Sequence, residues 1–231
     1  MNLSTLSDRK QMLSRHCKDG DAWNVNTPLT IALSIIADVL WMLAYIFTIR
    51  AGFRDHTYGF PLVAVCLNIS WEFVFSLVIR PKSKLRMILT LLWLALDLVI
   101  LFQLLRWGAA DQLPAIQAHF VPVVLGTLLL AGIGHITFHY TYHDPGGQEV
   151  AFTINLVMSV LFVFLLFDRP NLQGLSYAAA WLKMLGTLIL SAVNTALMYK
   201  EPRRYGFYLF LFATIFLFDA LYVYLLTEAR A

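Results

Sequence analysis

Seven apolar stretches, each near the length a bilayer requires, fill most of this chain, and four carboxylates lie inside them: Asp38, Glu72, Asp97 and Asp219. An ionised side chain at mid-membrane costs about 2.5–3.5 kcal/mol on insertion scales. Four in one small protein make physical sense only if they share an interior away from lipid. The sequence therefore predicts an all-α bundle of seven transmembrane helices folded around an acidic cavity. Composition agrees: charged residues make up 13% of the chain, against about 25% in a soluble domain. A net charge of +3, spread over loops, points away from nucleic acid. Cys17 and Cys66 lie too far apart in the pattern to suggest a disulfide framework or a thiolate metal site.

About 20 apolar residues cross the hydrocarbon core, and the spans read as 29–49, 59–79, 87–107, 119–140, 149–168, 177–199 and 206–226. Proline-bearing turns separate them: Phe60-Pro61, Arg80-Pro81-Lys82, Asp144-Pro145-Gly146-Gly147, Asp168-Arg169-Pro170-Asn171 and Glu201-Pro202-Arg203-Arg204. Pro122 falls in the first turn of its span, where a missing N–H is tolerated. Residues 1–28 form a polar tail without the look of a cleavable signal, and 29–231 form one membrane domain. The tail and the even-numbered loops carry eleven Lys and Arg against five on the other side. That bias predicts a cytoplasmic N-terminus and an external C-terminus. A faint internal echo pairs Asp38 with Asn155 and Asp97 with Asp219, as two three-helix repeats joined by the fourth span would.

The spacing of polar residues picks out helix faces. Asn68 and Glu72 are four apart in span 2, with Trp71 adjacent. Hydrocarbon favours the neutral form of a carboxyl, and a neutral, desolvated acid beside an amide is a strong proton donor. Asp38, Trp41 and Tyr45 share a face of span 1, and Trp93 and Asp97 a face of span 3. Phe212, Phe216, Asp219 and Tyr222 follow one stripe of span 7. Acids repeatedly set one turn from aromatic rings describe a pocket able to steady a greasy, transient cation. Asn68, Asp38, Asp97 and Asn155 fit equally as relays or as interhelical hydrogen-bond partners.

Other polar residues read as structural. His135, His139 and His143 lie on one face of span 4, but a di-iron oxidase needs several such boxes and the chain has only six histidines. Lys183, about six residues into span 6, could pair with one of the acids, but snorkelling to the outer face is the better fit. Gly126, Gly132, Gly134 and Gly186 are expected at close helix contacts. No Asp-Asp-x-x-Asp, Asp-x-Asp-Asp, phosphate loop or nucleophile elbow is present, so no metal and no other cofactor is expected.

Asn68-x-x-Trp71-Glu72 in span 2 and an aspartate in span 7, in seven spans, resemble the small membrane-integral terpene cyclases of fungal meroterpenoid and indole-diterpene pathways, with bacterial relatives acting on prenylated aromatics. Tyr58-Gly59-Phe60-Pro61, Trp41, Tyr45 and Asn155 add to the likeness. The resemblance implies essential acids at Glu72 and Asp219. It also implies cyclisation of a prenylated lipophilic substrate, started by protonating a terminal epoxide or alkene, without metal or diphosphate loss. The implied setting is a bacterial plasma membrane or the endoplasmic reticulum, with lipid as the other partner. Asp38 and Asp97 make this interior more acidic than two acids require, which leaves the donor open. The competing expectation is a proton-coupled or facilitative small-solute carrier, because mid-membrane acids also serve proton relays.

Overall fold

The computed structural model describes residues 27–81, 83–144, 146–198 and 202–230. Cys17, Lys82, Pro145 and Glu201 lie outside them. All regular structure among the described residues is helical: α1 (Pro28–Asp55), α2 (Leu62–Phe73), α3 (Lys84–Trp107), α4 (Phe120–Tyr142), α5 (Gln148–Phe167), α6 (Tyr177–Met198) and α7 (Pro202–Glu228). A 3₁₀ turn follows α3 and a single helical turn, Pro114–Gln117, precedes α4.

Helix limits follow local chemistry. Pro28 opens α1, with the Thr27 hydroxyl accepting from the Thr30 N–H at 3.2 Å. Pro61 precedes α2, and Pro122 falls in the first turn of α4, as expected. The buried Asp144 carboxylate accepts from the backbone N–H groups of Gln148 (2.9 Å), Glu149 (3.0 Å) and Val150 (3.3 Å), covering the orphan donors of α5.

Six of the helices are long and apolar enough to cross a membrane. The apolar helix Leu62–Val78 is shorter, its α-helical part running into a π-helical turn at Val74–Val78. It is also deeply packed: Ala64, Val65, Cys66, Ile69, Ser70 and Glu72 are all buried, because α3, α4 and α5 all pack on it.

Six helices form a ring in the order α1–α6–α7–α5–α2–α3, closing back onto α1, while α4 packs on α2 from outside. The neighbour pattern maps onto itself when α1, α2 and α3 are exchanged for α5, α6 and α7. The α2–α3 contact answers α6–α7, α1–α3 answers α5–α7, and α1–α6 answers α5–α2. The α1–α6 contact is the most extensive, and Gly186 permits it: a Cβ there would lie 2.7 Å from the Trp41 ring and 3.1 Å from the Ala37 carbonyl. Gly126, Gly132 and Gly134 have open space where a Cβ would go. The expectation that these three serve close packing is thus corrected, since they lie on the peripheral α4.

Loops close one end of the ring. Arg169 is buried, donating to the carbonyls of Tyr58 (2.5 Å) and Gln173 (2.9 Å) and to Asp111 (3.1 Å), with its guanidinium over the Tyr58 ring. Gly174, at φ 73°, sits where a Cβ would meet Arg169 at 2.7 Å, so both backbone and space demand glycine there. This cap drives Phe60 into the bundle, where its ring meets those of Tyr45 and Phe162 at 5.1 Å each.

Candidate active site

Every ring helix sends a polar side chain inward, and these gather into two clusters. The first joins α1, α2 and α3. Asn68 Nδ2 donates to Asp97 Oδ2 (2.7 Å) and Tyr45 Oη (2.5 Å) and lies 3.4 Å from Glu72 Oε1. An amide has two N–H bonds, so the two short contacts use both and Glu72 is held most loosely. Glu72 and Asp97 are both buried, and among the described residues neither forms an ion pair. Among the described residues, Glu72 Oε2 is buried without a hydrogen-bond partner. The two carboxyl groups are joined through the Asn68 amide, sheltered from water and, among the described residues, without a cation. The backbone changes character here too: the π turn begins two residues after Glu72, and the Ser76 hydroxyl donates to the Glu72 carbonyl at 2.5 Å. Such widened turns recur at functional sites.

The second cluster joins α5, α6 and α7. Lys183 Nζ donates to Asp219 Oδ1 (2.6 Å) and Oδ2 (2.9 Å) and to Ser159 Oγ (2.7 Å). All three ammonium protons are thereby engaged. The Ser159 hydroxyl in turn donates to the Asn155 backbone carbonyl (2.8 Å), and Asn155 Nδ2 donates to Thr187 Oγ1 (3.1 Å). Lys183 is buried against Asp219. The snorkelling expected from its place near the helix start is overturned, because α7 brings an anion to it. Asp219, which the resemblance implies as one of two essential acids, is thus ion-paired, whereas Glu72 is not.

Aromatic rings connect the clusters by two routes. Lys183 Nζ lies 5.4 Å from the Trp41 ring, and Trp41 lies 6.3 Å from Tyr45. The longer route runs Trp93–Tyr45 (5.0 Å), Tyr45–Phe60, Phe60–Phe162 and Phe162–Tyr222 (5.4 Å), ending three residues from Asp219. Sequence reasoning missed Phe60 and Phe162 as members of this path. With 17 Phe, 10 Tyr and 6 Trp, ring content alone singles out none, although the loop position of Phe60 before Pro61 was a usable sign.

A pocket of about 300 Å³ opens between α6 and α7, lined by Thr187, Ser191 and Thr195 on one side and Phe212, Phe216 and Asp219 on the other. The stripe read from span 7 is thus one face, except that Tyr222 turns into the core against Phe162. Trp71 points the other way from the clusters: its Nε1–H donates to the Gly147 carbonyl at 2.8 Å and its ring packs on Phe75. Asp38 is half-buried and, among the described residues, makes no hydrogen bond or ion pair. His135 bonds the Leu67 carbonyl (3.0 Å) and His139 the Asp144 carbonyl (2.8 Å), tying α4 to its neighbours.

Comparison with known proteins meets this geometry. The family of Pyr4-like transmembrane terpene cyclases matches residues 22–231. The terpene cyclase macJ of Penicillium terrestre is 28% identical over 191 residues, 80% of this chain and 73% of that protein. The Pyr4-family terpene cyclase mfmH of Annulohypoxylon moriforme is 30% identical over 75% of this chain and 73% of its own length. The terpene cyclase spyD of Aspergillus fumigatus is 28% identical over 78% of each. The carrier reading yields to these likenesses. The chain is an integral membrane protein and an enzyme, and it belongs to the Pyr4-like transmembrane terpene cyclases.

Proposed function

We propose that this enzyme isomerises a prenylated, meroterpenoid-type lipophilic substrate by protonating its terminal alkene or epoxide, without metal and without loss of diphosphate. The observation that carries this reading is the Glu72–Asp97 pair: two buried carboxyls joined through the Asn68 amide and, among the described residues, free of any ion pair, with Glu72 Oε2 lacking a hydrogen-bond partner. Glu72 donates the proton. The carboxylate left behind is stabilised by the Asn68 amide, which donates to Asp97 and lies within reach of Glu72 Oε1. As the polyene closes ring by ring, Tyr45, Trp41, Trp93 and the inserted Phe60 present their rings to the migrating charge. Phe212 and Phe216 guide the chain in from lipid through the α6–α7 opening.

In this reading all seven helices cross. At about 1.5 Å per residue Leu62–Val78 is roughly 25 Å long, short of the hydrocarbon core of about 30 Å, which buried packing on three sides tolerates. The N-terminus is cytoplasmic, and the Arg169 cap faces outside.

The test uses membranes containing the protein in D₂O, offered farnesylated and epoxyfarnesylated aromatics, with mass spectrometry of the products. A cyclised isomer with one carbon-bound deuterium is expected from alkene protonation. An unlabelled isomer is expected from an epoxide, whose deuteron ends on exchangeable oxygen. Well-folded protein that turns over neither class, across a broad panel of head groups, contradicts the proposal.

A further inference from the structure

We propose that Lys183 is the positioning residue that makes Asp219 the terminating base of the cyclisation. This rests on the reading above and adds a residue to it. Asp219 is one of the residues lining the α6–α7 pocket. Lys183 grips both its oxygens, at 2.6 and 2.9 Å, and is itself fixed by Ser159 at 2.7 Å. Taking two charges out of water costs several kcal/mol per ion, so a pair of this kind serves poorly as simple packing glue. What it provides is an anion held in one orientation beside an apolar pocket, and a fixed anion is what a carbocation requires of the group that removes its last proton.

The chemistry balances. Glu72 gives one proton to the substrate. At the end of the cascade an Asp219 oxygen takes one proton from the carbon next to the cationic centre, and the electrons of that C–H bond become the new C=C bond. The substrate has then gained and lost one proton and leaves as an isomer. Asp219, now a carboxylic acid, returns its proton to water, and Glu72 takes one from water. Lys183 touches neither substrate nor transferred proton; its charge keeps Asp219 ionised until the cation arrives.

The experiment compares wild type with K183R, K183M, K183Q, D219N and the double variant K183M/D219N in membranes, with folded protein measured in each. Product spectra are read for the normal alkene, its double-bond isomers and the water adduct that forms when the cation is not deprotonated in place. The neutral variants are expected to lose about 10²-fold of the normal product, the scale of a general base. Their residual product should shift toward isomeric alkenes and water adducts. K183R should restore the normal spectrum, and the double variant should be no worse than D219N alone, because Lys183 acts only through Asp219. A folded K183M or K183Q with an unchanged spectrum overturns the proposal. So does failure of both neutral variants to accumulate beside a fully active K183R, which would assign the pair to folding. A wild type that cyclises nothing overturns the cyclase reading itself, a distinguishable result.

Discussion

The two polar clusters occupy corresponding places in the ring and have opposite electrical character. Each centres on an aspartate of the third helix of its half, Asp97 on α3 and Asp219 on α7, and each aspartate takes a hydrogen bond from the helix before it. The donors, Asn68 and Lys183, are each the seventh residue of their helix. One donor is neutral and is accompanied by a second carboxyl, so in the proposed mechanism that cluster retains a proton. The other is a cation, so the cluster holds a carboxylate. In the proposed mechanism a single side-chain exchange thus separates a proton source from a proton acceptor on a shared framework. Pushing apart the protonation states of two similar groups is the general way that one site performs acid and base chemistry at a single pH.

Variants can break this contrast or sharpen it. The largest effect is expected for Glu72→Gln, which keeps shape and hydrogen bonding but removes the proton: cyclised product should fall by about 10²–10⁴-fold per folded protein. Asn68→Lys should come next, losing about 10²-fold. It installs beside Glu72 and Asp97 the cation that Asp219 already has, and product formation measured alongside thermal stability in detergent will separate lost chemistry from lost fold. Gly186→Val acts on the framework, forcing α1 and α6 apart at Trp41. It should destabilise by about 1–3 kcal/mol, read from the denaturation midpoint, and impair both clusters together. The smallest effect belongs to Trp71→Phe. It should cost about 0.5–1.5 kcal/mol through the lost bond to Gly147 and change product formation less than about twofold, because that ring faces away from both clusters.

Much of this arrangement was legible in the chain, and the parts that were not share a physical cause. Proline-marked breaks and apolar runs located the helices because the bilayer fixes their length and proline their starts. Four-residue spacing put Asn68 and Glu72 on one face, and they meet at 3.4 Å. Helix periodicity says nothing about which face meets which. Lys183 and Asp219 are 36 residues apart, and a lysine near a helix start has water as its default partner. Only the packing of α6 on α7 supplies another. The same blindness hid the peripheral place of α4, whose glycines look like packing glycines in the sequence, and the turn of Trp71 toward the α4–α5 connection. Asp38, read as part of the span 1 face with Trp41 and Tyr45, remains on that face while joining neither cluster.

The central claim is that one cluster stores a proton and the other does not. Infrared difference spectroscopy of the purified protein in lipid at neutral pH tests this directly, without any substrate. Protonated carboxyls absorb apart from carboxylates and shift on deuteration. The expected result is a buried carboxylic-acid band present in wild type, retained in D219N, shifted in E72Q and lost in the double variant E72Q/D97N. A band lost in D219N and kept in E72Q would contradict the assignment of acid and base, and no such band in wild type would remove the proton store altogether.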